Sequence, residues 1–238
     1  MREESEIMIK IGIDYSLISP AICIYKDGEY SFISFFDDYG KDWKGSKAKT
    51  FQYHQQLSGI IELNPYTREI EKKDYVEEQR SKMRAAKMIA NKISNRLVEL
   101  VGDEDVVIGL EGFSYGSISS STLDLAMFNS FLRIKLLEDF GEDCLVIVSP
   151  TEGKKNLSGK GNAKKEDMIQ AFINNRINDP DIEKCSFWKF CKENELDYKN
   201  IKPIDDLVDA YSILISINKV YIKSFGECSG FFHVGISP

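Results

Sequence analysis

Asp14, Glu111, Asp206 and Asp209 are the side chains of this sequence whose types and settings could do chemistry together. Asp14 closes the apolar run IKIGID and Glu111 closes a second run, VVIGLE, so each carboxylate stands at the end of a segment that reads as a buried strand. A buried charge without a partner is costly, so each needs something opposite it. Asp206 and Asp209 lie in DDLVDAY with helical i,i+3 spacing, which puts both on nearly one face. Asp205, next to Asp206, is turned away by about 100°. Taken singly, Asp14 and Glu111 read as turn formers or caps, and the aspartates as first-turn helix acids favoured by the macrodipole. Taken together, two strand-end acids and an i,i+3 acid pair are a recurrent way of holding two divalent cations. Clustered carboxylates repel and take up protons unless a cation compensates them. All-oxygen donors suit Mg²⁺ or Mn²⁺. Two such ions roughly 4 Å apart favour an in-line phosphoryl displacement.

Two basic segments could flank such a site. SPTEGKKNLSGKGNAKKEDMIQ, 149–170, carries Lys154, Lys155, Lys160, Lys164 and Lys165 with no acid between the first and the last. Its glycines 153, 159 and 161 suggest a permissive loop, either simply solvated or touching phosphates through lysine and backbone N–H groups. It is not a nucleotide P-loop: five residues separate Gly153 from Gly159-Lys160 where that motif has four, and Gly161 replaces the required Ser or Thr. The other segment, RSKMRAAKMIANKISNR at 80–96, places Arg80, Arg84 and Lys87 opposite the apolar face Ala86, Ile89, Ile93, Leu97 and Leu100. Such a face is usually only solvated, and a nucleic-acid contact is the sharper alternative.

The elements that must position these groups can be read coarsely. Residues 8–14, 20–26 and 29–36 predict three strands in a meander, split by Ser19-Pro20 and Asp27-Gly28. A helix spans 80–101 and stops at Gly102, and a short strand covers 106–111. A second helix, 121–140, is apolar on more than one face, and CLVIV at 144–148 is another buried strand. Further helices begin near 163, at 181–195 and at 205–219, the last just after Pro203. Strands first, then alternating helix and strand, predict an α/β sheet with helices on both faces. Residues 37–79 are polar, dotted with aromatics and hard to assign.

The bulk numbers narrow the class. The chain has 238 residues, enough for one well-cored domain with an inserted lobe. No run is long and apolar enough for a bilayer span, and MREESEIMIK has no signal-peptide core. Cysteines 23, 144, 185, 191 and 228 are scattered without a CxxC pair, which predicts a reducing, cytoplasmic setting and neither a disulfide frame nor a zinc site. The net charge of −7 weighs mildly against nucleic acid, but local distribution decides more than the sum. His54 and His233 stand alone and suggest no general-base site.

Four blocks in order resemble the RuvC-type Holliday-junction resolvases, within the ribonuclease H-like fold. GIDYSL resembles the family's first strand, ending in Asp14. VVIGLEGFSYG resembles the strand ending in the catalytic Glu111. SPTEGKKNLSGKGNAKKEDM resembles its DNA-backbone segment, with Lys155 and Lys165 on the phosphate-contacting lysines. DDLVDAY resembles the closing helix, with Asp206 and Asp209 as the last two acids. The resemblance implies a mixed five-stranded sheet, three antiparallel strands followed by parallel ones, flanked by helices. The whole chain, 1–238, would be one nuclease domain with a variable insertion at about 37–100. It implies a homodimer that nicks four-way or other branched DNA, leaving a 5′-phosphate and a 3′-hydroxyl, with two Mg²⁺ ions, Mn²⁺ substituting. Asp14 would bridge both ions, Glu111 bind one, and Asp206 and Asp209 bind the other or orient the water. No nucleotide cofactor and no membrane are implied.

The sequence departs from that pattern in places. Tyr15-Ser16 follows Asp14 where the family has Pro-Gly or Pro-Ser, and FNSFLRIKLLE is bulkier than the family's dimer-contact helix. Phe113 and Tyr115, just after Glu111, suit stacking on splayed bases or the core equally. Three other readings stay open. One is a nuclease of the same fold acting on a hybrid or another branched substrate. Another is an actin- or sugar-kinase-like ATP fold, although Asp14 lacks the expected glycine. The third is a non-catalytic scaffold that binds DNA or protein.

Overall fold

The structure, a computed structural model, describes residues 8–38, 52–113, 119–198 and 201–225, with the side chains of 218–225 excepted. Three strands open it: β1 (Ile9–Asp14), β2 (Ala21–Lys26) and β3 (Glu29–Asp37). A short helix α1 (Gln52–Gln56) and strand β4 (Glu62–Tyr66) follow, then the long helix α2 (Tyr75–Val101). β5 (Val106–Glu111), α3 (Ser120–Phe140) and β6 (Leu145–Val148) come next. α4 (Pro150–Ser158), α5 (Lys165–Ile173), α6 (Ser186–Glu193) and α7 (Ile204–Phe225) complete the described chain.

The sheet has six strands in the order β4-β3-β2-β1-β5-β6. β1, β2 and β3 form the antiparallel meander, while β5 runs parallel to β1, and β6 parallel to β5. This is the expected mixed sheet with one strand more. The addition, β4, comes from the 37–100 region and lies parallel to β3 at the edge. Its sequence, ELNPY, has neither alternation nor β-branched residues, and Pro65 cannot donate to a ladder, which an edge strand tolerates.

Alternation along each strand sorts side chains into two layers. Ile9, Ile11 and Ile13 of β1, with Ile108 and Leu110 of β5, pack under α2 and α3 against Ile89, Ile93, Leu132 and Leu136. On the other face Ala21, Cys23 and Phe32 pack with Leu157 of α4, Phe172 of α5, Phe187 of α6 and Leu207, Tyr211 and Leu214 of α7. Residues 12, 14, 109 and 111 therefore belong to the α7 side.

Two boundaries differ from expectation for identifiable reasons. α2 begins at Tyr75 because Asp74 caps it, accepting from the Glu77 N–H at 2.9 Å. Residues 150–158 are helix where the glycines suggested a loop. Ser149 caps this helix by accepting from Glu152 N–H at 3.2 Å, Pro150 opens it, and Gly159 at φ 82° closes it in the left-handed region. Ser-Pro before and Gly after were a helix signature in plain sight. Among the described residues no helix is long and apolar enough to cross a membrane.

Candidate active site

The placement of the acids follows from two glycines. Gly12 and Gly109 are register partners on neighbouring parallel strands, and both face α7. A Cβ on Gly12 would lie 2.2 Å from the Ala210 carbonyl oxygen, and one on Gly109 would lie 2.9 Å from Ile217 Cγ1. α7 therefore sits closer to the sheet here than any larger residue permits. Two residues beyond each glycine stand Asp14 and Glu111, on the same face, one step past the pair Ile13 and Leu110. The first turns of α7 bring Asp206 and Asp209 down upon them.

The electrostatics of the four carboxylates record that convergence. Burial lifts Asp14 well above the usual carboxylate range, and the nearby charges of Asp206, Asp209 and Glu111 lift it further. Asp209 is pushed up to about 7, first by burial and then by Asp206, Glu111 and Asp205. Burial also raises Glu111, with Asp206 adding to it and Lys154 opposing. Asp206, only 4% exposed, is raised by burial despite the Lys202 ammonium beside it. Among the described residues, no side chain donates a hydrogen bond to the carboxylates of Asp14, Glu111 or Asp209.

Two acids are already matched. Asp206 accepts from the Lys202 ammonium and the Ser19 hydroxyl. Asp205 is buried rather than turned to solvent; it pairs with Lys165 and, at 3.4 Å, with Lys202. Against its burial, these two lysines hold Asp205 below the usual range. Lys202, although burial works against its charge, is kept protonated by Asp206 and Asp205.

The donor set fits hard divalent cations in type: every ligand is a carboxylate oxygen, and three of the four lack a donor. As the side chains stand, however, no three acids, histidines or cysteines among the described residues enclose a single point where an ion would sit. The carboxylates feel one another through space, but Asp206 closes on lysine and serine instead.

The predicted cationic residues divide. Lys154 lies near enough to Glu111 to pull its proton affinity down, and Lys165 is on Asp205. Lys155, Lys160 and Lys164 are exposed and make no ion pair among the described residues. Arg80, Arg84 and Lys87 sit on α2, whose buried face covers the other side of the sheet. Arg84 pairs with Glu77 at 2.5 Å and Arg80 with the same carboxylate at 3.8 Å, so the structure does not bring them to the acids. Phe113 is 37% exposed, with the Arg133 guanidinium 4.2 Å from its ring centre. Tyr115 lies outside the described residues, as do Cys228 and His233.

Sequence reasoning missed Lys202, Ser19 and Arg133. Lys202 had a signal: it precedes Asp205 and Asp206 by helical i,i+3 and i,i+4 spacing across the start of α7. Arg133 fixes the segment after β5 by donating to the Glu111 carbonyl oxygen and to Asn129, each at 2.8 Å. Nothing local in the sequence announces that contact.

No family model matches the sequence, and no curated protein matches it. Solved structures do. The chain is similar to Thermus thermophilus RuvC at 13% identity, over 92% of this chain and 97% of that one, with a TM-score of 0.45. T. thermophilus RuvC in complex with a Holliday junction substrate is 10% identical over 91% and 96%, at 0.47. The yeast mitochondrial Holliday junction resolvase Ydc2 is 15% identical over 93% and 85%, at 0.48. At these identities no residue's role is transferred from one chain to the other.

Proposed function

We propose that the chain is a metal-dependent endonuclease that nicks branched DNA, with the four-way junction as its substrate. One observation carries this reading: Asp14 and Glu111, at the ends of neighbouring strands, share one side of the sheet with Asp206 and Asp209 of α7, and Asp14, Glu111 and Asp209 have neither an ion pair nor a side-chain donor among the described residues. Carboxylates gathered in this way repel one another unless cations compensate them. Asp14, Glu111, Asp206 and Asp209 would hold two Mg²⁺ ions, with Mn²⁺ substituting. Bound there, the ions would neutralise phosphoryl oxygens and make water a better nucleophile.

The chain's own residues do the rest. Lys154, on α4 and near Glu111, places positive charge where a backbone phosphate would approach. Lys155, Lys160 and Lys164, exposed and without an ion pair among the described residues, would extend that surface along the backbone of a bound strand. Asp206 and Asp209 would bind the second ion or orient the attacking water, and Arg133 holds Phe113 and the Glu111 backbone in place. The outer face of α3 exposes Leu123, Ile134 and Leu137 at 62%, 56% and 43%, which supports a homodimer through that helix. Two such subunits would address two strands of one junction.

The test is a panel of labelled four-way, three-way, hybrid and linear substrates with and without Mg²⁺, using wild type and Asp14→Asn. Mg²⁺-dependent nicks in the junction by wild type alone are expected. Equal cutting of the linear duplex refutes the junction assignment, cutting confined to the hybrid moves the substrate to RNA–DNA, and an active Asp14→Asn refutes the site.

A further inference from the structure

Lys202 stands in the turn before α7 and has no place in the four-acid mechanism. Its ammonium pairs with Asp206 and, at 3.4 Å, with Asp205, and its charge also reaches Asp14. The side chain is only 25% exposed, so this cation is part of the site and not of the surface. Asp205 shares it with a second cation, Lys165. Asp206 has no other cation on it among the described residues, since its other partner, the Ser19 hydroxyl, is neutral.

We infer that Lys202 is a built-in counter-cation that occupies Asp206 until a divalent ion displaces it, and then withdraws to Asp205. This rests on the metal-dependent reading given above. An ammonium and a divalent ion cannot both sit on the same carboxylate oxygen. Asp14, Glu111 and Asp209, to which no side chain donates among the described residues, would be the acids open to an ion from the start. Asp206 would join them as a ligand only once Lys202 leaves it, so two ions would bind with separated affinities. The 3.4 Å contact to Asp205 gives the released ammonium a partner one residue away, which keeps it charged and inside the cluster. Lys202 is thus a positioning residue: it sets when Asp206 becomes a ligand. The arrangement also explains how so many acids are buried together in one folded chain before metal arrives.

Mn²⁺ binding by electron paramagnetic resonance and calorimetry, without DNA, tests this on wild type, Lys202→Met, Lys202→Arg and Asp14→Asn. Wild type is expected to bind two ions in separate steps. Lys202→Met should bind the second about tenfold more tightly and the first by a smaller factor, through the reach of that charge to Asp14, whereas Lys202→Arg keeps the wild-type isotherm. An independent measurement uses the wild type alone. The ¹⁵N signal of the Lys202 ammonium, identified by its loss in Lys202→Arg, should shift at the Mg²⁺ concentration that fills the second position. Two wild-type ions with an unchanged isotherm in Lys202→Met, or an ammonium signal indifferent to Mg²⁺, overturns the inference while leaving the metal site standing. Absence of any Asp14-dependent Mn²⁺ in wild type overturns both.

Discussion

Gly12→Ala should separate the two halves of the candidate site without touching an acid. The new Cβ would meet three atoms of α7: the Ala210 carbonyl oxygen at 2.2 Å, Leu214 N at 2.6 Å and Leu214 Cβ at 2.8 Å. Carbon rarely approaches a carbonyl oxygen closer than about 3.3 Å, so α7 must retreat by about 1 Å. The obstacles are mainly backbone and Cβ, so no rotamer change relieves them. Overpacking of this kind costs about 3 kcal/mol, which for a chain of this size lowers Tm by roughly 10 °C. The retreat also carries Asp206 and Asp209 away from Asp14 and Glu111, and a displacement of about 1 Å in a reacting constellation is worth about a hundredfold in rate. Gly109→Ala is the internal control. Its Cβ would meet only side-chain atoms, Cγ1 and Cδ1 of Ile217 and Cγ2 of Ile213, at 2.9 to 3.0 Å, a shallower clash that touches no backbone and costs about 1 kcal/mol to relieve. Urea unfolding, junction nicking well below both melting temperatures and Mn²⁺ titration should all rank Gly12→Ala below Gly109→Ala. Equal losses in the two variants, or a destabilised Gly12→Ala that keeps wild-type cleavage and Mn²⁺ affinity, refutes the claim that close strand–helix contact assembles the site.

Asp14→Asn should abolish cleavage while the dissociation constant for a four-way junction, read by gel shift, stays within about threefold, because binding is carried by lysines and backbone. Lys155→Ala and Lys160→Ala should each flatten the log–log salt dependence of junction binding by about 1; a slope unchanged in both places DNA elsewhere. Asp14, Glu111 and Asp209 retain protons in the fold that the unfolded chain has already released, so the metal-free protein is stabilised near pH 4 and loses that stability as pH rises toward the Asp209 value of about 7. Thermal melts in EDTA from pH 4 to 8 should show the decline in wild type and a shallower one in Asp209→Asn; a wild-type Tm that rises across that window contradicts the clustered placement. Ile134→Asp, on the exposed face of α3, should convert a dimer to a monomer in sedimentation velocity, and a wild type that is monomeric at micromolar concentration removes the dimer.

The parts of this chain that sequence made readable are those governed by short-range periodicity. β1, β2, β3 and β5 follow from apolar runs with turn residues between them, and α7 from apolar recurrence behind Pro203. The candidate acids could be singled out because Asp14 and Glu111 each close an apolar run and Asp206 and Asp209 share i,i+3 spacing; the fold adds that Asp14 and Glu111 each fall two residues after a glycine, on the strand face that α7 covers. β4 was opaque because an edge strand needs no hydrophobic alternation and can carry Pro65. α4 was misjudged because its glycines outweighed the Ser149–Glu152 cap, although Gly153 is buried against Ser212 and only Gly159 needs positive φ. Asp205 shows the limit of helical-wheel reasoning. Rotation turned it away from Asp206 by about 100°, but what it turned toward was Lys165 and Lys202, which only the tertiary fold brings there.

The misjudged parts and the site share one physical origin. A chain that buries Asp14, Asp205 and Asp206 and half-buries Glu111 and Asp209 accumulates repulsion that no helix or strand preference predicts. It must be offset by cations drawn from elsewhere in sequence, and here they come from three different segments: Lys154 on α4, Lys165 on α5 and Lys202 ahead of α7. Each sits beside a different acid, and the set leaves Asp14 and Asp209 with neither an ion pair nor a hydrogen-bond donor among the described residues. The lysines sit on the two most buried of these acids, Asp205 at 3% and Asp206 at 4% exposed, whereas Asp14, at 8%, stands without one at the end of a strand that α7 packs closely against.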